Sequence, residues 1–311
     1  MTGNRHMTLP ATSAKPTPSP GGLWHRLTRG RRVVHREPDW DDFAGEGWLD
    51  RIMAESVTDR YHAKQGRSIG RWTLTAPDGR SLIVYLKRHY VLPRLRGLLS
   101  ALAPDRPRSP GLEEWEHLRW ARANGLPVPR AVAVGEFLGP WGKLQSFLAV
   151  EELTGMLPLH EAIPLAQRRL SAADFTRWKR GLVAELARLT RELHDRRAFH
   201  RDLYLCHFYI PDADTRRVPG SWPGLVWMID FHRLTFPWRL RQASARVKDL
   251  AQLLYSTHGV CGITDRDRQR FWWVYRDRKD CSAVDRMRRD WILRKSRRYT
   301  DHNARHMRAA G

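Results

Sequence analysis

Residues 199 to 210 read FHRDLYLCHFYI, an apolar, strand-like run with two histidines, an arginine and an aspartate set into it. If the run were only core, His200, Arg201, Asp202 and His207 would each need a buried partner, because an unpaired polar group costs free energy away from water. A fold that accepts this stretch must therefore use those groups locally. What precedes it narrows the choice. From Ser171 onward, Phe175, Trp178, Leu182, Leu186, Leu189 and Leu193 recur at helical spacing, so one face of a long helix is apolar and that helix delivers the chain to the run.

The first half follows a different period. GRWTLTAPDGRSLIVYLKRHY reads as two strands around Pro77-Asp78-Gly79-Arg80, a hairpin signal flanked by β-branched and aromatic residues. Just before it, KQGRSIG carries Gly66 and Gly70, expected to form a loop whose backbone can approach a ligand because no Cβ intervenes. Ser109-Pro110 caps and starts a helix through LEEWEHLRWARAN, which Gly125, Pro127 and Pro129 stop. RAVAVGE and KLQSFLAVEEL then form two more strands around Gly139-Pro140-Trp141-Gly142. The order predicts an α+β fold, with a β-rich first lobe carrying one helix (23–152) and an α-rich second lobe (153–311). Residues 1–22, rich in Pro, Ser, Thr and Gly, are expected to be a disordered tail.

The chain has 311 residues and a formal charge of +22, which favours an anionic partner: nucleic acid, anionic lipid or a phosphorylated substrate. Its three cysteines, Cys206, Cys261 and Cys281, have no metal-binding spacing and read as reduced thiols. No apolar run approaches the roughly 20 residues that cross a bilayer, and residues 1–22 lack a signal-peptide core, so a cytoplasmic location is expected. No helix-turn-helix, zinc-finger or RNP signature accompanies the charge, and nucleic acid is not expected as a partner.

Strand alternation places Ile83, Tyr85 and Lys87 on one face, with Lys87 at the strand end near the glycines. A lysine there can grip nucleotide phosphates if an acid on the neighbouring helix orients it. Glu114 is the choice for that acid, with Glu113 as its competitor. In HRD, Asp202 can orient or accept the proton of an attacking hydroxyl. Asp230, ending LVWMID, offers a hard carboxylate for Mg²⁺. In sequence order these match the parts of a kinase. His194 and His200 read as hydrogen-bonded scaffold, and Cys206 as a small buried hydrophobe.

VYLKRH, EWEHLRWARANGLPVPR, FHRDLYLCHFYI, MIDFHR and VKDLAQLLYST together resemble the blocks of the lipopolysaccharide kinases of the Kdo and first-heptose type. The resemblance implies a protein-kinase-like two-lobed fold and transfer of the ATP γ-phosphate to a sugar hydroxyl of the lipopolysaccharide inner core or a similar lipid-linked glycan. It assigns phosphate binding to Lys87, the ion-pair partner to Glu114, catalysis to Asp202 and Mg²⁺ to Asp230, and it makes Asp249 the acid that braces the catalytic loop; Gly66, Gly70, Glu152 and Leu153 are further expected nucleotide-binding residues. His207 stands five positions after Asp202, where protein kinases carry a magnesium-binding Asn; it is taken as a second metal residue, with shaping of the loop as its other role. Tyr85 takes the place of a small residue against adenine, and only 18 positions separate Asp230 from Lys248, little room for a regulatory segment.

Two other readings stand beside the kinase: an inactive kinase-like protein that binds membrane or a partner, against which the intact Lys87, Asp202 and Asp230 count, and a basic nucleic-acid-binding protein. Oligomeric state is not legible. Residues 91–104, VLPRLRGLLSALAP, combine Leu92, Leu95, Leu98, Leu99 and Leu102 with Arg94 and Arg96, expected as an amphipathic segment. Such a segment either folds onto the first lobe or holds the enzyme peripherally on an anionic membrane surface.

Overall fold

The Asp-Gly hairpin closes as its residues require. Ala76 N–H donates to the Arg80 carbonyl and Gly79 N–H to that of Ala76, both at 2.9 Å, with Gly79 at φ +85°, a region that favours glycine. This computed structural model describes residues 22–56, 60–62, 66–103, 106, 109–278 and 280–310; of the tail expected over residues 1–22, all but Gly22 lies outside them. The chain divides into two units, the first reaching Asn124 and resuming at Arg130–Glu152, the second comprising Gly125–Pro129 and Leu153–Gly311.

In chain order the first unit holds α1 (Leu23–Thr28), β1 (Arg31–Arg36), α2 (Trp40–Ala44), α3 (Trp48–Arg51), β2 (Arg60–His62), β3 (Arg67–Thr75), β4 (Ser81–His89), α4 (Arg94–Leu102), α5 (Pro110–Ala123), β5 (Ala131–Leu138) and β6 (Leu144–Glu151). The strands form one antiparallel sheet in the order β1-β5-β6-β4-β3-β2. Alternation in β4 turns Leu82, Val84 and Leu86 toward a core shared with Trp40, Phe43, Trp48 and Ile52. Ile83, Tyr85 and Lys87 occupy the opposite, more open face. Arg88 falls on the core side, almost wholly buried, and its guanidinium donates to Ser68 Oγ (3.1 Å) and to the carbonyls of Ile52 (3.2 Å) and Glu55 (2.6 Å). Three acceptors offset the cost of burying that charge.

Helix α5 starts where Ser109 predicts, with Ser109 Oγ accepting from Leu112 N–H, a cap whose loss typically costs about 1 kcal/mol. Its buried face, Leu112, Glu114, Trp115, Leu118 and Ala121, contains one acid.

The second unit runs β7 (Met156–Pro158), α6 (Leu159–Arg169), α7 (Ala172–Asp195), β8 (Phe208–Pro211), β9 (Trp227–Met228), α8 (Arg239–Ser256), α9 (Asp265–Arg276) and α10 (Ala283–Ala310), with a small antiparallel sheet β7-β8-β9. All six apolar residues expected on one face of α7 are buried. Burying a Leu or Phe side chain contributes roughly 1.5–3 kcal/mol, so this face anchors the unit. The run 199–210 is not one strand. Phe199 bridges Thr235, residues 200–204 loop out, Leu205–His207 make a 3₁₀ turn, and only Phe208–Pro211 is strand.

Candidate active site

The first unit contributes an ion pair. Lys87 Nζ lies 2.7 Å from Glu114 Oε1, with the carboxylate almost fully buried and the lysine partly open. One helical position separates Glu114 from Glu113, about 100° of rotation, and Glu113 instead approaches Arg96 at 3.7 Å. A buried carboxylate with one cation holds that cation in a single place, able to meet an incoming phosphate.

The glycines divide. Gly70 sits inside β3 opposite Leu86, so it is strand and not loop, a correction of the expected position. Strand β3 begins earlier than the sequence suggested because Arg67, Ser68 and Ile69 pair with His89, Arg88 and Lys87. Gly66 does stand at a turn, at φ +55°, with its carbonyl accepting from Tyr90 N–H at 2.8 Å; residues 63–65 lie outside the described residues. Glu152 places its carboxylate bidentately on Arg71, at 2.7 and 3.0 Å, so that side chain is engaged as an ion-pair partner and the expected nucleotide role does not rest on a free carboxylate. Leu153 opens the second unit, its carbonyl accepting from Met156 N–H.

The second unit carries the denser cluster. Fully buried Asp249, on α8, accepts from His200 N–H and Arg201 N–H at 2.8 Å each and meets His194 Nε2 at 3.2 Å. It thereby pins the loop that presents Asp202. Arg201 and Asp230 both take left-handed φ near +66°, strained for non-glycine residues and sustained because neighbouring contacts over-determine them. Gln252 Nε2 at 3.4 Å and Arg233 Nη1 at 3.9 Å both approach Asp202 Oδ1, so the carboxylate is steadied through one oxygen. His200 Nε2 meets the Ile229 carbonyl at 3.0 Å, tying this loop to the one bearing Asp230.

Asp202, Asp230 and His232 bring one ligand atom each within 4.8 Å of one another. His232 was not singled out in the sequence; it enters because the 3₁₀ turn that follows Asp230 brings its Nδ1, two positions on, to 2.6 Å from Asp230 Oδ1, and the signal that could have found it is the DFH in MIDFHR. His207 stands outside that trio. Its Nδ1 donates to the Asp202 carbonyl at 2.7 Å and its Nε2 faces Asp230 Oδ2 at 3.6 Å. Burial works against its imidazolium, but Cys206, Asp230 and the Asp202 carbonyl outweigh burial and raise the pKa to about 9. With Nδ1 tied to the loop's own backbone, His207 turns Nε2 toward Asp230, beside the residue expected to hold the metal. Lys248 is pulled below its ordinary value by burial and by nearby Arg233 and Arg201, so cations gather around Asp202. His194 and His200, read as scaffold, are both buried.

Paired carboxylates on strained, braced loops can hold a hard cation and orient a hydroxyl; the donor set fits Mg²⁺, whose preference is oxygen. A family model described as lipopolysaccharide kinase (Kdo/WaaP) matches residues 81–275, the span that contains Lys87, Glu114, Asp202, Asp230 and Asp249. A lipopolysaccharide core heptose(I) kinase WaaP of Pseudomonas aeruginosa is 31% identical over 66% of this chain and 74% of its own length. The corresponding protein of Escherichia coli K12 is 31% identical over 52% of this chain and 58% of its own. A solved structure described as WaaP in complex with acyl carrier protein superposes with a TM-score of 0.61 at 26% identity, covering 86% of this chain and 98% of that one.

Proposed function

The chain belongs to the lipopolysaccharide kinase (Kdo/WaaP) family, and from that premise we propose that it transfers the γ-phosphoryl group of ATP to a hydroxyl of an inner-core heptose. The observation that carries this reading is the Asp202–Asp230–His232 cluster on a loop pinned by buried Asp249. In the reaction a bond forms between the sugar oxygen and γ-phosphorus while the bond to the β,γ-bridging oxygen breaks. The hydroxyl proton passes to the Asp202 carboxylate. Lys87, held by Glu114, neutralises charge on the nucleotide phosphates, and His207 and His232 hold Asp230 in place. Asp202 and Asp230 would hold Mg²⁺, which supplies charge neutralisation on phosphate oxygens. Positioning and electrostatics carry such a transfer, with no covalent enzyme intermediate.

The cations around Asp202, Arg201, Arg233 and Lys248, suit an acceptor that carries acids or phosphates of its own. No helix among the described residues is long and apolar enough to cross a membrane; a lipid-linked acceptor supports a peripheral position at the face where core saccharide is assembled. We extend the acyl carrier protein partnership of the solved relative to this chain. A cavity of about 530 Å³ in the second unit, lined by Leu182, Leu186, Leu250, Leu253, Phe271 and Ile292 among others, has the apolar chemistry to receive an acyl chain.

The test is incubation with ATP and purified core lipopolysaccharide, followed by mass spectrometry of the released oligosaccharide. One added phosphate on heptose is expected. Tight Mg-ATP binding with no phosphate on any core sugar would leave the inactive, partner-binding reading in its place.

A further inference from the structure

The amphipathic segment forms as α4, but its inward face is narrow. Gly97 rests on the Pro140–Gly142 turn so closely that a Cβ there would overlap the Gly142 carbonyl oxygen. Ser100 Oγ donates to buried Glu136 at 2.7 Å, and Ala101 packs with Leu138 and Leu144. With glycine, serine and alanine on the inside, Leu95 and Leu102 are left 67% and 60% exposed. Helix α1 packs against both α4 and that turn, and Arg26 Nε donates to the Ala101 carbonyl at 2.8 Å. This brings Trp24, 71% exposed, edge-on to Trp141, 57% exposed, with ring centroids 6.2 Å apart. Trp141 adopts φ +54°, a conformation that bulky residues rarely take, and its ring ends in solvent. Val91 and Leu23 extend the same apolar set.

In the same unit, sharing Val91, a cavity of about 830 Å³ is lined by Arg29, Arg31, Arg32, Arg94 and Lys143 and by no carboxylate. Arg31 meets Glu136 at 3.7 Å and Arg32 meets Asp50 at 2.9 Å. Arg29, Arg94 and Lys143 are exposed and have no carboxylate partner among the described residues. Concave, unbalanced positive charge attracts anions. A soluble phosphate would satisfy the cations but leaves the exposed tryptophans and leucines without purpose. An anionic bilayer satisfies both, since tryptophan rings sit at the headgroup level, leucines enter the acyl boundary and basic side chains meet phosphates.

We propose that this face of the first unit is a membrane-docking surface, in which Arg29, Arg94 and Lys143 take the phosphate of an anionic phospholipid while Trp24, Trp141, Leu95 and Leu102 enter the interface. It goes beyond the kinase reading and does not depend on turnover. The full chain is to be co-sedimented with vesicles of phosphatidylcholine alone or mixed with phosphatidylglycerol. Salt-sensitive binding to the mixed vesicles is expected, with affinity at least tenfold lower for the pure ones. The triple variant Arg29→Glu, Arg94→Glu, Lys143→Glu should lose at least tenfold, and Trp24→Ala with Trp141→Asn about as much. An equal charge change on α10, Arg294→Glu, Arg297→Glu, Arg298→Glu, should stay within twofold of the parent. Melting temperatures of all variants are compared, and Arg94→Glu alone, a single exposed change, should still weaken binding measurably. Equal losses in the two charge-reversal triples would reduce the effect to bulk charge and overturn the proposal. So would displacement by glycerol phosphate beyond that of a neutral salt at equal ionic strength, which marks a soluble-anion site, or binding that ignores the tryptophans.

Discussion

Lys87–Glu114 and the Asp202–Asp230 loops hold charge in place by opposite means. The first is one ion pair between a regular strand and a regular helix, placed by register alone. The second is irregular backbone, with two left-handed non-glycine residues, held by a buried acid that accepts two backbone N–H groups. A pair on rigid elements can be deleted without undoing its scaffold, whereas a braced loop and its brace fail together. The contrast separates residues held by regular elements from residues that make a loop exist.

The largest effect is expected at the reacting carboxylate itself. Asp202→Asn keeps the Gln252 contact and the fold but should lower turnover by about 10²–10⁴-fold, the scale of general-base assistance. Single-turnover kinetics with core lipopolysaccharide checks it; near-parental turnover would remove Asp202 from the reaction. Next comes the brace. Asp249→Ala strips His200 N–H, Arg201 N–H and His194 of their acceptor inside the protein, and should destabilise the second unit by about 3 kcal/mol. Chemical denaturation measures this, and a loss of activity without a loss of stability would contradict the bracing role.

In the first unit the comparison predicts a different signature. Lys87→Met and Glu114→Gln should each weaken ATP binding by about tenfold, consistent with a charge-assisted bond worth about 1.5–3 kcal/mol, while the melting temperature moves little. Glu113→Gln, one position away and turned toward Arg96, should change stability by no more than about 0.5 kcal/mol and leave nucleotide affinity untouched. Isothermal titration with Mg-ATP separates the two glutamates.

The smallest effect is a pH dependence of the braced loop. Burial holds His194 below its ordinary value of 6.5, although Asp249 pulls it upward. The unfolded chain takes up the proton near pH 6.5 and the folded chain resists it, so the contribution is complete above that pH and is lost as pH falls toward the folded value. Its slope is at most about 1.4 kcal/mol per pH unit. His200 is lowered for the same reason and adds in the same direction. Melting temperature followed from pH 7.5 to 5 should fall less steeply in His194→Asn than in the parent; identical slopes would mean that His194 does not titrate in this window.

Much of this architecture was legible in the chain. The period of two in SLIVYLK, the Ser109 cap and the spacing from Phe175 to Leu193 are local properties, and local steric and hydrophobic preferences decide them. They also settled that Lys87 projects from the face opposite the core, since alternation leaves no other side. Asp202 and Asp230 stood out because each is an acid at the edge of an apolar run.

What tertiary structure alone decided was partnership. Gly70 became strand because three residues before it found partners on β4, and pairing partners are not written in a single strand. Arg88, next to Lys87 in the chain, is buried because carbonyls of Ile52 and Glu55, distant in sequence, converge on it. His232 joined the carboxylates, and His207 came to bridge the Asp202 carbonyl and Asp230, through turns whose φ values no periodicity encodes. Trp24 and Trp141, far apart in the chain, meet because Gly97 lets α4 lie against the Gly142 turn. Period and capping act over a few residues and are therefore readable in order along the chain; the choice among distant polar partners is made by distance and desolvation, which exist only once the chain has folded.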